Sequence, residues 1–164
     1  MIRNSIFFAP KKDKNRSLAL AAVLLLAFCS FSTCSKTKES VSLSLLNASL
    51  EEARNQGQRL VVLFGADWCP DCRAFEQMLN DRKVSELTKA KFLFLKIDVG
   101  QFDKNLELNA YLGNPIAKGI PAVVILDPFS SGKILVSTEG GEFSEASKMK
   151  PEQILSFFQK YSNF

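Results

Sequence analysis

The sequence predicts an α/β domain with a mixed central β-sheet covered by helices on both faces. Three observations lead there. Short apolar runs at 60–64 (LVVLF), 92–97 (FLFLKI) and 122–126 (AVVIL) read as buried strands. Segments with helical spacing separate them. A turn-rich stretch at 127–132 follows the third run, so that residues 133–137 pair back as a fourth strand. Strands separated by helices, closed by an antiparallel hairpin, give a mixed sheet with two covered faces.

Each element has a local cause. Residues 44–56 set Leu45, Leu46, Ala48, Leu50 and Ala53 on a helical pattern that Gly57 ends. After the first strand, residues 65–68 turn the chain. A helix then starts at Cys69, with Pro70 in its first turn, where the missing N–H was unpaired anyway. Phe75, Met78 and Leu79 take its core positions. A short helix is expected at 84–89 and another at 105–112, stopped by Gly113-Asn114-Pro115. Pro121 opens the third strand, and Pro128, Ser130, Ser131 and Gly132 make the hairpin turn. Pro151 starts the last helix, with Ile154, Leu155, Phe157 and Phe158 facing the core. There is no internal repeat or low-complexity block.

The N-terminus reads as an address. Residues 1–16 are basic and polar, and residues 18–31 (LALAAVLLLAFCSF) are apolar, the pattern of a secretory signal. The run is short for a membrane span, which needs about 20 residues. Phe31-Ser32-Thr33-Cys34 resembles a bacterial lipobox with Cys34 as the lipidated residue, although the common box has Leu first and Gly or Ala before the cysteine. Three readings stay open: a lipoprotein modified at Cys34, a cleaved soluble protein, and an uncleaved anchor. All three export the domain, to the periplasmic face of a bacterial membrane, where disulfides persist. The expected divisions are a lipoprotein-type signal at 1–33, a polar tether at 34–43 and a folded domain at 44–164.

Composition narrows the chemistry. With 46% hydrophobic residues the chain can bury a core. The net charge of +4 resides in residues 1–33, so the remainder is neutral and offers nucleic acid no basic stripe. There is no histidine. That excludes Cys/His zinc sites, Ser-His and Cys-His catalytic pairs and c-type haem attachment.

Four cysteines fall into two pairs, Cys29 and Cys34 in the leader and Cys69 and Cys72 in the domain. Two cysteines three apart at a helix start can close a small disulfide ring. The positive end of the helix dipole favours the first thiolate, which makes Cys69 the nucleophile and Cys72 the resolving thiol. Asp71 between them opposes the thiolate and favours a more reducing pair. As half of a metal site the motif would need two more ligands, and the only other cysteines are in the leader. As a purely structural disulfide it would constrain little chain. A second element, Gly119-Ile120-Pro121-Ala122, stands at a strand start.

Together these pieces resemble the thioredoxin superfamily. LVVLFGADWCPDC, FLFLKIDV, GIPAVVIL and the C-terminal helix occur in its order and spacing over residues 41–161. Within it, ADWCxxCRxFE looks most like the periplasmic C-terminal domain of transmembrane thiol:disulfide interchange reductases. The resemblance implies a thioredoxin fold and a cis Pro121 across from the nucleophile. It implies that the Ile120 backbone receives a substrate strand and that Trp68 and Pro70 belong to the docking surface. Glu76 falls on an acidic residue that sets thiol reactivity there, a solvated helix face being its plain alternative. Asp67 is placed to support the active-site turn and Asp98 to hold a strand end.

Two positions depart from the family. Thioredoxins carry a buried Asp six residues before the nucleophile, where this chain has Leu63, and an accompanying Lys where it has Phe94. The usual manager of the resolving thiol's proton is thus missing. The expected activity is thiol–disulfide oxidoreduction on exported proteins carrying cysteines or disulfides. A membrane or periplasmic thiol would donate the electrons and the N-terminus would meet the bilayer. No bound cofactor, metal or nucleic acid is implied. The rivals are a tethered, non-catalytic binding module and a disulfide-donating oxidant.

Overall fold

The computed structural model describes residues 41–139 and 141–163. The signal at 1–33 and Cys34 lie outside the described residues. In chain order the elements are α1 (Val41–Asn55), β1 (Arg59–Gly65), α2 (Pro70–Leu79), α3 (Arg82–Lys91), β2 (Phe92–Asp98), α4 (Leu106–Tyr111), β3 (Ala122–Asp127), β4 (Lys133–Ser137) and α5 (Pro151–Lys160). Single 3₁₀ turns occupy Pro128–Ser130 and Ala146–Lys148. Among the described residues no helix is long and apolar enough to cross a membrane.

Two boundaries move for identifiable reasons. The tether predicted to run to residue 43 ends sooner, because Val41 already opens α1. Leu43 packs against the same cluster as Leu46 and Leu50, so the apolar stripe extends one turn towards the N-terminus. Helix α3 begins at Arg82 rather than 84 because Asp81 caps it, its Oδ1 accepting from the N–H groups of Lys83 at 2.9 Å and Val84 at 3.3 Å.

The described strands form a mixed sheet in the order β2-β1-β3-β4. Strand β1 runs parallel to β2, from Arg59 opposite Phe92 to Gly65 opposite Asp98. It runs antiparallel to β3, with Phe64 opposite Ala122. That register sets the C-terminal end of β1 beside the N-terminal end of β3. Strand β4 closes the sheet with an irregularity between Ile125 and Leu126. The fold is the α/β thioredoxin arrangement the motifs implied.

Side-chain alternation divides the core between the two faces. Leu60, Val62, Phe64, Val124 and Leu126 point to one face, covered by Leu46 and Ala53 of α1 and Leu108 of α4. Val61, Leu63, Val123 and Ile125 point to the other, under Phe75 of α2, Val84 of α3 and Ile154 and Phe158 of α5. Each such fully buried side chain contributes about 1.5–3 kcal/mol relative to exposure. Aromatic pairs knit the second face: Phe158 meets Phe92 at 5.2 Å and Phe94 at 5.7 Å, and Phe143 meets Phe75 at 4.8 Å. Through Phe143 the long connection between β4 and α5 is held against α2, a contact that nothing local in the sequence announces.

Candidate active site

The site is built where β1 ends. The N–H of Cys69 donates to the carbonyl of Ala66 at 3.1 Å, closing the turn that carries Asp67 and Trp68. Cys69 is the N-cap of α2, in extended backbone conformation, and its sulfur accepts from the N–H of Cys72 at 3.1 Å. Pro70 and Asp71 supply the first turn. Cys69 and Cys72 are joined as a disulfide, their Cα atoms 5.3 Å apart. Both are buried. Gly65 makes room for the pair: a Cβ there would stand 3.4 Å from the Cys72 sulfur.

Across from the disulfide is the start of β3. The Ile120–Pro121 peptide bond is cis. The Ile120 carbonyl oxygen lies 3.7 Å from the Cys69 sulfur, so both motifs singled out in the sequence meet at one point. Trp68 forms the third side. The residue is 45% exposed, its Nε1–H donates to the Gly100 carbonyl at 2.7 Å, and Phe102 meets its ring edge-on at 5.9 Å. Arg73 donates from Nη1 to the Asp67 carbonyl at 2.5 Å and steadies the turn.

Behind Cys72 is a pocket of about 150 Å³, lined by Leu63, Cys72, Arg73, Glu76, Lys96 and Pro121 among others. Glu76 is not simply solvated, for its Oε2 pairs with the Lys96 Nζ at 2.9 Å. The two side chains are 46% and 58% exposed, so water reaches the pair. Lys96 was missed in the sequence, although it stands opposite Leu63 in the β1–β2 register. Leu63 and Phe94, the two departures from thioredoxin, both belong to the apolar core on the α2 face.

Two carboxylates have structural ties. Asp71 turns to the returning loop, where its Oδ1 accepts from the Ser147 N–H at 2.8 Å. That backbone hydrogen bond first, then the Ser147 side chain and the charge of Lys148, hold its pKa below the usual carboxylate value, against a small opposing effect of burial. Asp98 accepts from the Gly100 N–H at 2.9 Å and pairs with Lys104 at 2.8 Å. Its pKa is lowered, chiefly by Lys104 and then by Gly100, as befits the strand-end role expected of it. Among the described residues no group of three or more Cys, Asp or Glu is placed to hold a metal ion.

Chemically, the arrangement holds a sulfur pair at a helix N-terminus, with a cis peptide and its carbonyl alongside. On reduction, the Cys72 N–H and the helix dipole would stabilise a thiolate at Cys69.

Comparison with known proteins agrees with this geometry. A family model described as thioredoxin-like matches residues 42–128. The chloroplastic thioredoxin-like protein HCF164 of Arabidopsis thaliana is 31% identical over 122 residues, covering 73% of this chain and 44% of its own. The thiol:disulfide interchange protein DsbD of Vibrio cholerae is 38% identical over 58 residues, 35% of this chain and 10% of its own. The chain therefore spans less than half the length of these curated relatives. A solved disulphide isomerase from Xylella fastidiosa superposes with a TM-score of 0.69 at 37% identity, covering 77% of this chain and 95% of that one. A thioredoxin from Thermus thermophilus, at 22% identity and a TM-score of 0.52, shares the fold.

Proposed function

Because the chain belongs to the thioredoxin-like family, we propose that it is a thiol–disulfide oxidoreductase acting through Cys69 and Cys72. The observation that carries this is the disulfide at the N-cap of α2, beside the cis Ile120–Pro121 bond.

In the reducing direction the Cys69 thiolate attacks one sulfur of a substrate disulfide. A mixed disulfide forms, and the other substrate sulfur leaves as a thiolate and takes up a proton. Cys72 loses its proton and attacks the Cys69 sulfur, which releases the second substrate thiolate. Two electrons have passed to the substrate, whose two thiolates take up protons from water, and Cys69–Cys72 is again a disulfide. A thiol donor then restores the reduced pair. With Leu63 where thioredoxins have Asp, the acceptor for the Cys72 proton is Glu76, through the water-accessible pocket that both line. Lys96 holds that carboxylate in place.

Substrates are extended, cysteine-bearing segments that lie along the Ile120 backbone, with Trp68 and Pro70 at the rim. The relatives named for disulfide exchange support this class, and Asp71 favours the reducing direction over the oxidant. The export signal at 1–33 brings the domain to exported clients. Cys34 is the lipid attachment point, and mass spectrometry of the mature N-terminus is expected to find it modified; an unmodified residue there refutes the anchor.

The test of the main reading is a redox titration followed through Trp68, the neighbour of Cys69 and the chain's single tryptophan. A reversible two-electron transition near about −270 mV is expected, the range of thioredoxin itself. Cys69→Ser should abolish turnover with a dithiol donor. Absence of a reversible transition in the wild type leaves only the binding module.

A further inference from the structure

Phe102 sits on the loop between β2 and α4 in a conformation that phenylalanine rarely adopts. Its φ is 63°, in the left-handed region that glycine favours, and the residue is 43% exposed. Neither the turn nor the core asks for a phenylalanine there. What the ring does is extend the exposed face of Trp68, which it meets edge-on at 5.9 Å.

The loop beneath is fixed before any ligand arrives. The Asp98 carboxylate takes the Gly100 N–H and the Lys104 ammonium, and Asp103 Oδ1 accepts from the Gln101 N–H at 2.9 Å. The Asp103 N–H itself donates to the Val99 carbonyl at 3.1 Å. Gly100 in turn holds the Trp68 indole at 2.7 Å. The two rings thus form an exposed apolar platform on a held loop, with Trp68 directly preceding Cys69 in the chain. Rigid aromatic surface costs little ordering when it is covered.

We propose that Phe102 is a specificity-determining residue: the Trp68–Phe102 platform receives a bulky apolar side chain flanking the substrate's reacting cysteine. Lys104 offsets the charge of Asp98, and the surface that Trp68 and Phe102 expose is apolar, which points to an apolar flanking residue; a Lys-flanked substrate tests the charge left on Asp67 and Asp103. The inference rests on the oxidoreductase reading and deepens it by naming the substrate class.

The experiment uses three peptide disulfides that differ only in Phe, Ser or Lys beside the cysteine, together with hydroxyethyl disulfide. For the wild type, kcat/KM should be about tenfold higher for the Phe peptide than for the Ser peptide, with the difference in KM. In Phe102→Ser that ratio should fall towards one. Phe102→Leu, which keeps an apolar side chain, should retain most of it. No Phe preference in the wild type, a preference for the Lys peptide, or an unchanged ratio in Phe102→Ser each overturn the proposal. Wild-type failure to reduce hydroxyethyl disulfide overturns the oxidoreductase reading itself and this proposal with it. Reduction of that small disulfide without peptide discrimination overturns only the role of Phe102.

Discussion

Returning an aspartate to position 63 tests how this site manages without one. Leu63 is 3% exposed in β1, flanked by Val123 and Lys96 and packed on the α2 face. Leu63→Asp first forfeits the burial of a leucine, about 2 kcal/mol. The carboxyl is also disfavoured in its charged form. Burial in this apolar site raises its pKa above the ordinary value of about 3.9. A folded pKa raised in this way costs nothing at pH below the unfolded value, and the cost grows as pH rises to the folded one. The total is smallest in acid, close to the ~2 kcal/mol of lost burial, and at neutral pH grows by about 1.4 kcal/mol for every unit by which the pKa is raised. Leu63→Asn, which does not titrate, should cost the same at both. Urea unfolding of the oxidised proteins, followed by far-UV circular dichroism, measures the four values. The Asp penalty should be larger at pH 8 than at pH 5. Equal Asp penalties at pH 5 and 8 would refute the burial argument. In the same variant, resolution of a mixed disulfide by Cys72 should accelerate as pH rises and the new carboxyl ionises to become a proton acceptor.

Other substitutions probe the surrounding contacts. Glu76→Gln should slow resolution of a trapped mixed disulfide severalfold while changing stability by less than about 1 kcal/mol, because its ion pair with Lys96 is half exposed; rapid-quench kinetics and a thermal melt separate the two effects. Asp71→Ala should cost no more than about 0.5 kcal/mol at pH 7, given its exposure. Since the folded pKa of Asp71 is lowered, its contribution is present above the unfolded pKa and fades as pH falls through the folded one. The gap between wild type and variant must therefore narrow as pH falls below about 4, and a gap that widens in acid contradicts the Ser147 tie. Phe143→Ala should cost about 3–5 kcal/mol in denaturant, since it removes contacts to both Phe75 and Phe157. Asn109 is buried, and its Oδ1 accepts from the Ile116 N–H at 3.3 Å, so Asn109→Ala should cost about 1–3 kcal/mol by the same measurement.

What could be read in the sequence was what has a local cause. The run at 60–64 is apolar at every position because β1 is central and covered on both sides. Cys69 with Pro70 marks a helix start wherever it occurs, and Gly119-Ile120-Pro121 was recognisable through its distance from that motif. The features that escaped depend on where distant segments return. Lys96 borders the pocket only because β2 pairs with β1 in one particular register. Ser147 reaches Asp71, 76 residues away, through a connection that carries no periodicity of its own. Phe102 stands against Trp68 only after the loop beyond β2 has folded over Gly100. The start of α1 was lost to composition, because serines around Leu43 look like linker until Leu43 is seen packing against the core.

The capping of α2 by the Cys69 sulfur has a consequence for the energetics of electron transfer. In the oxidised protein the Cys72 N–H points at a neutral sulfur, a weak acceptor. Once two electrons arrive, the same N–H faces a full negative charge, and the cap becomes a charge-assisted one. Fraying of the first turn and the affinity of the site for electrons are therefore linked quantities. A substitution that loosens the start of the helix, even far from sulfur, must lower the reduction potential, and backbone hydrogen exchange at Cys72 should slow when the protein is reduced. The helix serves as a reservoir in which part of the driving force is held as backbone order.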